Sequence, residues 1–143
     1  MSEALQLLQK YWKHERFRAP QEAIIQSVLD GKDTFALLPT GGGKSVCFQI
    51  PALMLDGICL VISPLVALMK DQVHNLQCKN IKAIALTGGI SQDEVIDILD
   101  NCQFGNYKFL YLSPERLQHD WIVERLKQLN INLIAIDEAH CVS

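Results

Sequence analysis

The sequence has no Cys-x-x-Cys pair, and its five cysteines, at positions 47, 59, 78, 102 and 141, are odd in number and widely spaced. That arrangement suggests neither a zinc site nor a disulfide framework; it favours small, reduced core residues. Such cysteine usage points to a cytosolic or nuclear compartment. No apolar run approaches the roughly 20 residues that span a bilayer. Met1-Ser2-Glu3-Ala4 lacks the basic-then-apolar start of a secretory signal, so no membrane partner is expected. Basic excess is also missing: the net charge is −3, unlike a free-standing nucleic-acid binder with its basic face. The basic cluster Lys10, Lys13, Arg16 and Arg18, with His14 among them, reads equally well as a solvated helix end or a functional patch. Repeats, low-complexity stretches and linkers are absent. By length, 143 residues make one domain, with enough apolar residues for a real core.

What is present is alternation. Residues 2–12 read as a helix with Leu5, Leu8 and Trp12 on one face. Pro20 opens a second helix, with Ile24, Ile25 and Val28 inward and Gly31 at its end. Strands are expected at about Thr34–Leu38, Ile58–Ile62, Ala83–Thr87, Lys108–Leu112 and Asn132–Asp137. Helices are expected at about 44–55, 65–78, 92–101 and 115–129, with a kink or early end at Pro51. This order predicts an α/β fold, a mainly parallel sheet with helices on both faces. Ile58-Cys59-Leu60-Val61-Ile62 and Leu133-Ile134-Ala135-Ile136 read as strands buried on both sides. Ser63-Pro64 and Ser113-Pro114 each read as a serine cap followed by proline at the first helical position, and Ser91-x-x-Glu94 as a capping box.

The chemistry gathers after the strands. Thr40-Gly41-Gly42-Gly43-Lys44-Ser45 follows the first. Its glycines allow successive backbone N–H groups to close on phosphate oxygens ahead of a helix N-terminus. Lys44 would reach the outer phosphates and the Ser45 hydroxyl would ligate magnesium. Leu38 stands where the strict phosphate-loop pattern has glycine. Ser63-Pro64-Leu65, Thr87-Gly88-Gly89 and Ser113-Pro114-Glu115-Arg116 follow the next three strands, and Asp137-Glu138-Ala139-His140 the fifth. In a parallel sheet all five loops lie along the carboxyl edge, where open α/β sheets bind ligands. A carboxylate at Asp137 suits Mg2+, and the next, Glu138, suits polarising an attacking water.

These motifs, in this order, resemble the first motor lobe of RecQ-type DNA helicases over essentially the whole chain from about Leu5. Phe17-Arg18-x-x-Gln21 is similar to the family's motif 0, Pro39-Thr40-Gly41-Gly42-Gly43-Lys44-Ser45 with Cys47-Phe48-Gln49-Ile50-Pro51-Ala52 to motif I, and Ser63-Pro64-Leu65 with Leu68-Met69-Lys70-Asp71-Gln72-Val73 to motif Ia. Ser113-Pro114-Glu115-Arg116-Leu117 resembles a further family segment, and Asp137-Glu138-Ala139-His140-Cys141-Val142-Ser143 motif II. The resemblance accommodates Leu38 and implies a RecA-like phosphate-loop NTPase lobe over 1–143, with N-terminal helices carrying motif 0 over 1–31. It implies that Gln21 reads adenine with Arg18 supporting the pocket. It also implies that Asp137 organises Mg2+, that Glu138 activates water, and that His140 couples hydrolysis to DNA binding. Ser63, Pro64, Leu65, Ser113 and Arg116 would contact single-stranded or forked DNA. His14 stands where the family has an aromatic stacked on adenine.

The resemblance further implies that the chain stops after the Asp-Glu-Ala-His motif, short of a second RecA-like lobe. Alone it would then bind ATP and Mg2+ but neither unwind DNA nor turn over well, since losing an arginine finger costs roughly 10³ or more in rate. The implied compartment is the cytoplasm, in a bacterium the cytosol or nucleoid. Two alternatives remain at this point. One is another class of phosphate-loop enzyme, though neither an arginine-rich lid nor an Asn-Lys-x-Asp motif is visible. The other is a nucleotide-binding module without activity of its own.

Overall fold

A strand buried on both faces needs neighbours on both edges and helices on both sides, and the sheet is built around one such strand. The computed structural model describes residues 2–31 and 45–136, in two units, Met1–Leu55 and Asp56–Ser143. The strand expected at Thr34–Leu38 lies outside the described residues.

In the second unit β1 (Ile58–Ile62) is buried along its whole length. β2 (Ala83–Leu86), β3 (Phe109–Leu112) and β4 (Ile131–Ile136) complete a sheet of order β2-β3-β1-β4. Every pairing is parallel, so the α/β sheet expected from alternation is the one observed. Helices α4 (Val66–Cys78), α5 (Gln92–Phe104) and α6 (Asp120–Lys127) connect the strands. Side chains alternate across a strand, and the two faces divide cleanly. Ile58, Leu60, Ile62, Leu86, Leu110 and Leu112 pack with Val95, Leu99 and Cys102 of α5 and Ile122 and Leu126 of α6. Tyr111 points to the other face, where its hydroxyl donates to Gln72 Oε1 of α4 at 2.7 Å. Burying each large aliphatic contributes roughly 1.5–3 kcal/mol. The partly exposed Arg125–Asp100 pair between α6 and α5 contributes at most about 1 kcal/mol, so packing rather than charge holds this face.

In this unit three local expectations change. The helix expected over 115–129 is a 3₁₀ turn (Pro114–Gln118) followed by α6, broken at the extended residue His119. A continuous helix would turn Leu117 about 140° away from Ile122; the break lets both pack on the same core. α4 begins at Val66, not at Pro64, because the Ser63 hydroxyl accepts the Leu65 N–H at 3.2 Å and closes a local turn first. Ser113 stands at the cap position with Pro114 next, as expected, but its side chain makes no capping bond to the turn's backbone. β4 is not buried on both sides: Ile134 and Ile136 are more than half exposed, because β4 is the edge strand among the described residues. Ser91 caps α5 as expected, accepting the Glu94 N–H at 3.2 Å.

The first unit is helical among its described residues. α1 (Glu3–Leu7) starts at Ser2, whose hydroxyl accepts the Leu5 N–H, and runs into a wider π turn, Leu8–Trp12, ended by left-handed Lys13. α2 (Gln21–Leu29) ends before Gly31. α3 (Val46–Met54) carries Pro51 inside it and continues three residues beyond. The early end expected there does not occur: Pro51 offers Cys47 no N–H, yet its own carbonyl accepts the Leu55 N–H at 3.2 Å. Ala4, Leu8, Ile25, Val46 and Ile50 form the shared core, with Trp12, Phe17 and Met54 against it.

Cys47, Cys59 and Cys102 are buried free thiols, whereas Cys78 is exposed. Burial raises the Cys47 thiol and pushes those of Cys59 and Cys102 up to about 12, so the buried three stay protonated and inert.

Gly57, at φ +106°, lets the Asn130 carbonyl approach the start of β1, where it accepts the Ile58 N–H at 2.8 Å. A Cβ there would lie 2.2 Å from that oxygen. Gly57→Ala is therefore expected to cost about 3 kcal/mol or more, read as a lowered urea midpoint. An unchanged midpoint would show that the β1–β4 junction tolerates the displacement.

Candidate functional site

Register decides what meets at the carboxyl edge. Ile62 pairs with Leu112, and Leu112 with Leu86, so the next residues, Ser63, Ser113 and Thr87, stand in a row across three neighbouring strands. The Ser63 N–H donates to the Leu112 carbonyl at 3.1 Å, extending the ladder one step past β1. Both serines are buried. The chain leaves β1 for α4 on one face and leaves β3 for α6 on the other. Adjacent strands whose connections diverge in this way open a crevice at their carboxyl ends, the place where α/β sheets take ligands.

The two serines differ in what they have left to offer. Ser63 Oγ accepts the Leu65 N–H, and a hydroxyl acting as acceptor keeps its O–H to donate. Ser113 spends its hydroxyl on Glu115. That bond, with Glu115's own backbone N–H and then the Arg116 charge, holds the exposed Glu115 carboxyl below its ordinary range. A carboxylate therefore stands at the mouth of the Ser113 loop at neutral pH. Arg116 turns inward, with Nη2 donating to the Thr87 carbonyl at 2.5 Å.

In the first unit, Phe17 packs into the helical core and sets Arg18 and Gln21 at the start of α2. Gln21 is 5 % exposed, and its Oε1 accepts the Arg18 N–H at 2.9 Å while its own N–H donates to the Arg18 carbonyl at 2.7 Å. The amide is thereby fixed in orientation. Arg18 and His14 are exposed. Ser45 stands immediately before α3, its carbonyl accepting the Gln49 N–H at 2.9 Å; a phosphate-binding serine needs this place at the head of a helix.

Residues 18–143 match the family model described as DEAD/DEAH box helicase. The chain belongs to the DEAD/DEAH box helicase family. The helicase relatives it is similar to include "Probable ATP-dependent DNA helicase RecS" of Bacillus subtilis, 47 % identical over all of this chain and 29 % of that protein. "ATP-dependent DNA helicase RecQ" of the same organism is 43 % identical over 98 % of this chain and 24 % of its own length. The RecQ of Synechocystis is 44 % identical over 94 % of this chain and 29 % of its own length. The chain thus spans less than a third of the length of these relatives.

Against the helicase motifs read from sequence, the structure brings His14, Arg18, Gln21 and Ser45 into the first unit and Ser63, Pro64, Leu65, Ser113 and Arg116 to one edge of the second. Thr40, Gly41, Gly42, Gly43, Lys44, Asp137, Glu138 and His140 lie outside the described residues. Ile136, which pairs with Ile62, directly precedes Asp137 in sequence. Two contacts were not read from the sequence, although Thr87 itself was placed in an edge loop. Thr87 takes part through its carbonyl, which no residue pattern encodes. Tyr111 left a signal: a hydroxyl in an apolar strand needs a buried partner, and Gln72 supplies it. No helix among the described residues is long and apolar enough to cross a membrane.

Ser63→Ala removes the acceptor for the part-buried Leu65 N–H. It is expected to cost about 1 kcal/mol, seen as a small fall in urea midpoint. A neutral result would show that water replaces the hydroxyl there.

Proposed function

We propose that the chain is the ATP-binding lobe of a RecQ-type DNA helicase, which turns ATP hydrolysis into movement along single-stranded or forked DNA. The observation that carries this reading is the buried, oriented Gln21 amide in a chain of the helicase family whose relatives are named ATP-dependent DNA helicases. Adenine presents an acceptor and a donor side by side, N7 and the N6 amino group, and guanine presents two acceptors. An amide oxygen accepts two hydrogen bonds, so Gln21 Oε1 takes the adenine N6–H beside the Arg18 N–H while Nε2 donates to N7. Held by Arg18, the amide does not turn over to suit guanine. ATP is selected for that reason. Arg18 walls the pocket, and His14 offers an imidazole to the base.

Thr40, Gly41, Gly42, Gly43 and Lys44 would hold the phosphates, Lys44 countering the charge that develops on the outermost one. Ser45 at the head of α3 fits a magnesium ligand, and with Asp137 it would hold the Mg2+ that neutralises phosphate charge. Glu138 takes the proton of the attacking water as the terminal phosphate–oxygen bond breaks, and His140 relays the nucleotide state to the DNA. At the sheet edge, Ser63, Pro64 and Leu65 contact DNA phosphates through backbone and hydroxyl donors, without reading bases. Ser113, with its hydroxyl on Glu115, contributes its backbone. The second RecA-like lobe is the intramolecular partner, and the cytoplasm is the compartment this reading implies.

Nucleotide binding and turnover in the intact protein test the proposal. Gln21→Ala is expected to weaken ATP binding by about tenfold or more, in line with a bidentate base contact, and to erase the preference over GTP. Tight GTP binding by the wild type would sink the Gln21 assignment. Lys44→Ala is expected to abolish DNA-stimulated ATP hydrolysis, and retained hydrolysis would refute the phosphate-loop assignment.

A further inference from the structure

Among the described residues β2 is the outermost strand on its side of the sheet, hydrogen-bonded to β3 alone. Backbone N–H and C=O groups point alternately to the two sides of a strand. The Lys82 carbonyl, one residue before β2, accepts the Lys108 N–H at 2.8 Å and so faces β3. Ala83 and Ala85 therefore turn their backbone groups outward. Gln77 of α4 shows the demand this creates: its Nε2 donates to the Ala83 carbonyl at 2.9 Å, in the place a neighbouring strand's N–H would take. Ala85, half-buried, meets no such side chain among the described residues.

A groove of about 310 Å³ opens at the start of this strand, lined by Gln77, Asn80, Ile81, Lys82, Ala83 and Tyr107. It lies at the amino ends of β2 and β3, away from the crevice at their carboxyl ends. No carboxylate lines it, and Lys82 supplies its charge. The Lys82 ammonium donates to the Gly105 carbonyl at 2.9 Å and stands 5.3 Å from the centre of the Tyr107 ring. It is thus held in place with two of its three donors to spare.

We propose that the outer side of β2 and this groove together receive an extended, acidic segment of a partner protein, which adds to the sheet as a further strand. The segment's backbone pairs with Ala83 and Ala85 as the Gln77 amide gives way, and one of its carboxylates meets Lys82. Strand addition draws affinity from the main chain and selectivity from flanking side chains. A lysine beside a free strand deters indiscriminate pairing, and the same charge admits an acidic partner. A nucleic acid has no peptide N–H groups to offer the outward carbonyls, which favours a peptide here.

The test titrates the intact protein into a fluorescein-labelled hexapeptide that alternates aspartate and valine, read by fluorescence anisotropy. The same peptide with lysine for aspartate is the control. Wild type is expected to bind the acidic peptide and not the basic one, and saturation is expected to slow hydrogen exchange over residues 83–86. Lys82→Glu and Ala85→Pro are each expected to weaken binding about tenfold or more. Proline is tolerated on an outer strand where the lost N–H faced solvent; should Ala85→Pro misfold, the exchange measurement on wild type still reports the pairing. Binding undiminished in both variants would overturn the site. Loss on Lys82→Glu with exchange over 83–86 unchanged would reduce it to a charge contact and overturn strand addition. Displacement of the peptide by oligo(dT) would make this a nucleic-acid surface instead. An acidic peptide that wild type fails to bind would refute the proposal outright.

Discussion

The rest of the structure depends on the parallel pairing of β1 with β3. β1 is buried on both faces, so helices must cover both, and the chain can supply them only by leaving the two central strands in opposite directions. α4 takes one face and α5 with α6 the other. The same divergence that buries the core opens the crevice at the carboxyl ends. Site and stability thus have a common origin. The ladder that places Cys59 opposite Phe109 at the start of the pair places Ser63 beside Ser113 past its end. A slip of one residue would turn every apolar side chain to the wrong face, and it would also separate the two serines. The hydrophobic pattern that fixes the register therefore fixes the edge chemistry as well.

The first unit solves a different problem. It buries a polar side chain, Gln21, at a helix start, where backbone N–H groups lack intrahelical partners. The Arg18 N–H satisfies the buried amide oxygen and fixes its orientation, while the Gln21 backbone N–H reaches the Arg18 carbonyl. Leaving such a group unsatisfied would cost about 1–3 kcal/mol. On the proposed reading, orientation for a base edge would come as a by-product of meeting that cost.

Much of this was legible because the signals are local and periodic. β1 could be placed from five consecutive apolar residues, and the start of α5 from Ser91-x-x-Glu94, because a buried strand and a capped helix each leave a short imprint. What was missed depends on contacts distant in sequence. The break at His119 answers a demand of the core on Leu117 and Ile122 together. The exposure of Ile134 and Ile136 follows from the position of β4 in the sheet order, which composition does not carry. Pro51 was expected to kink α3 or end it early; the helix does not end there, since in a helix packed into a core the missing N–H costs less than the burial of Ile50 and Ala52 gains. At the site, residue types at Ser63, Ser113 and Arg116 were readable. Which of them had already spent their donors within the protein was not.

That last distinction bears on how such an edge meets a phosphate backbone. Of the three side-chain donors expected at this edge, Ser113 gives its hydroxyl to Glu115 and Arg116 gives one N–H to the Thr87 carbonyl, while the Ser63 O–H keeps its donating capacity. The Glu115 carboxylate adds a negative charge beside the Ser113 turn, which disfavours a phosphate there by simple Coulomb repulsion. On the proposed reading, a phosphate would then be received nearer β1, by the Ser63 hydroxyl and the backbone donors of the β1 loop. Backbone donors sit at fixed places whatever base is attached to the sugar. An edge that spends its charged side chains on its own loops gives up some affinity. On the proposed reading it would in return hold a strand of any sequence in the same way, as a motor advancing along DNA would require.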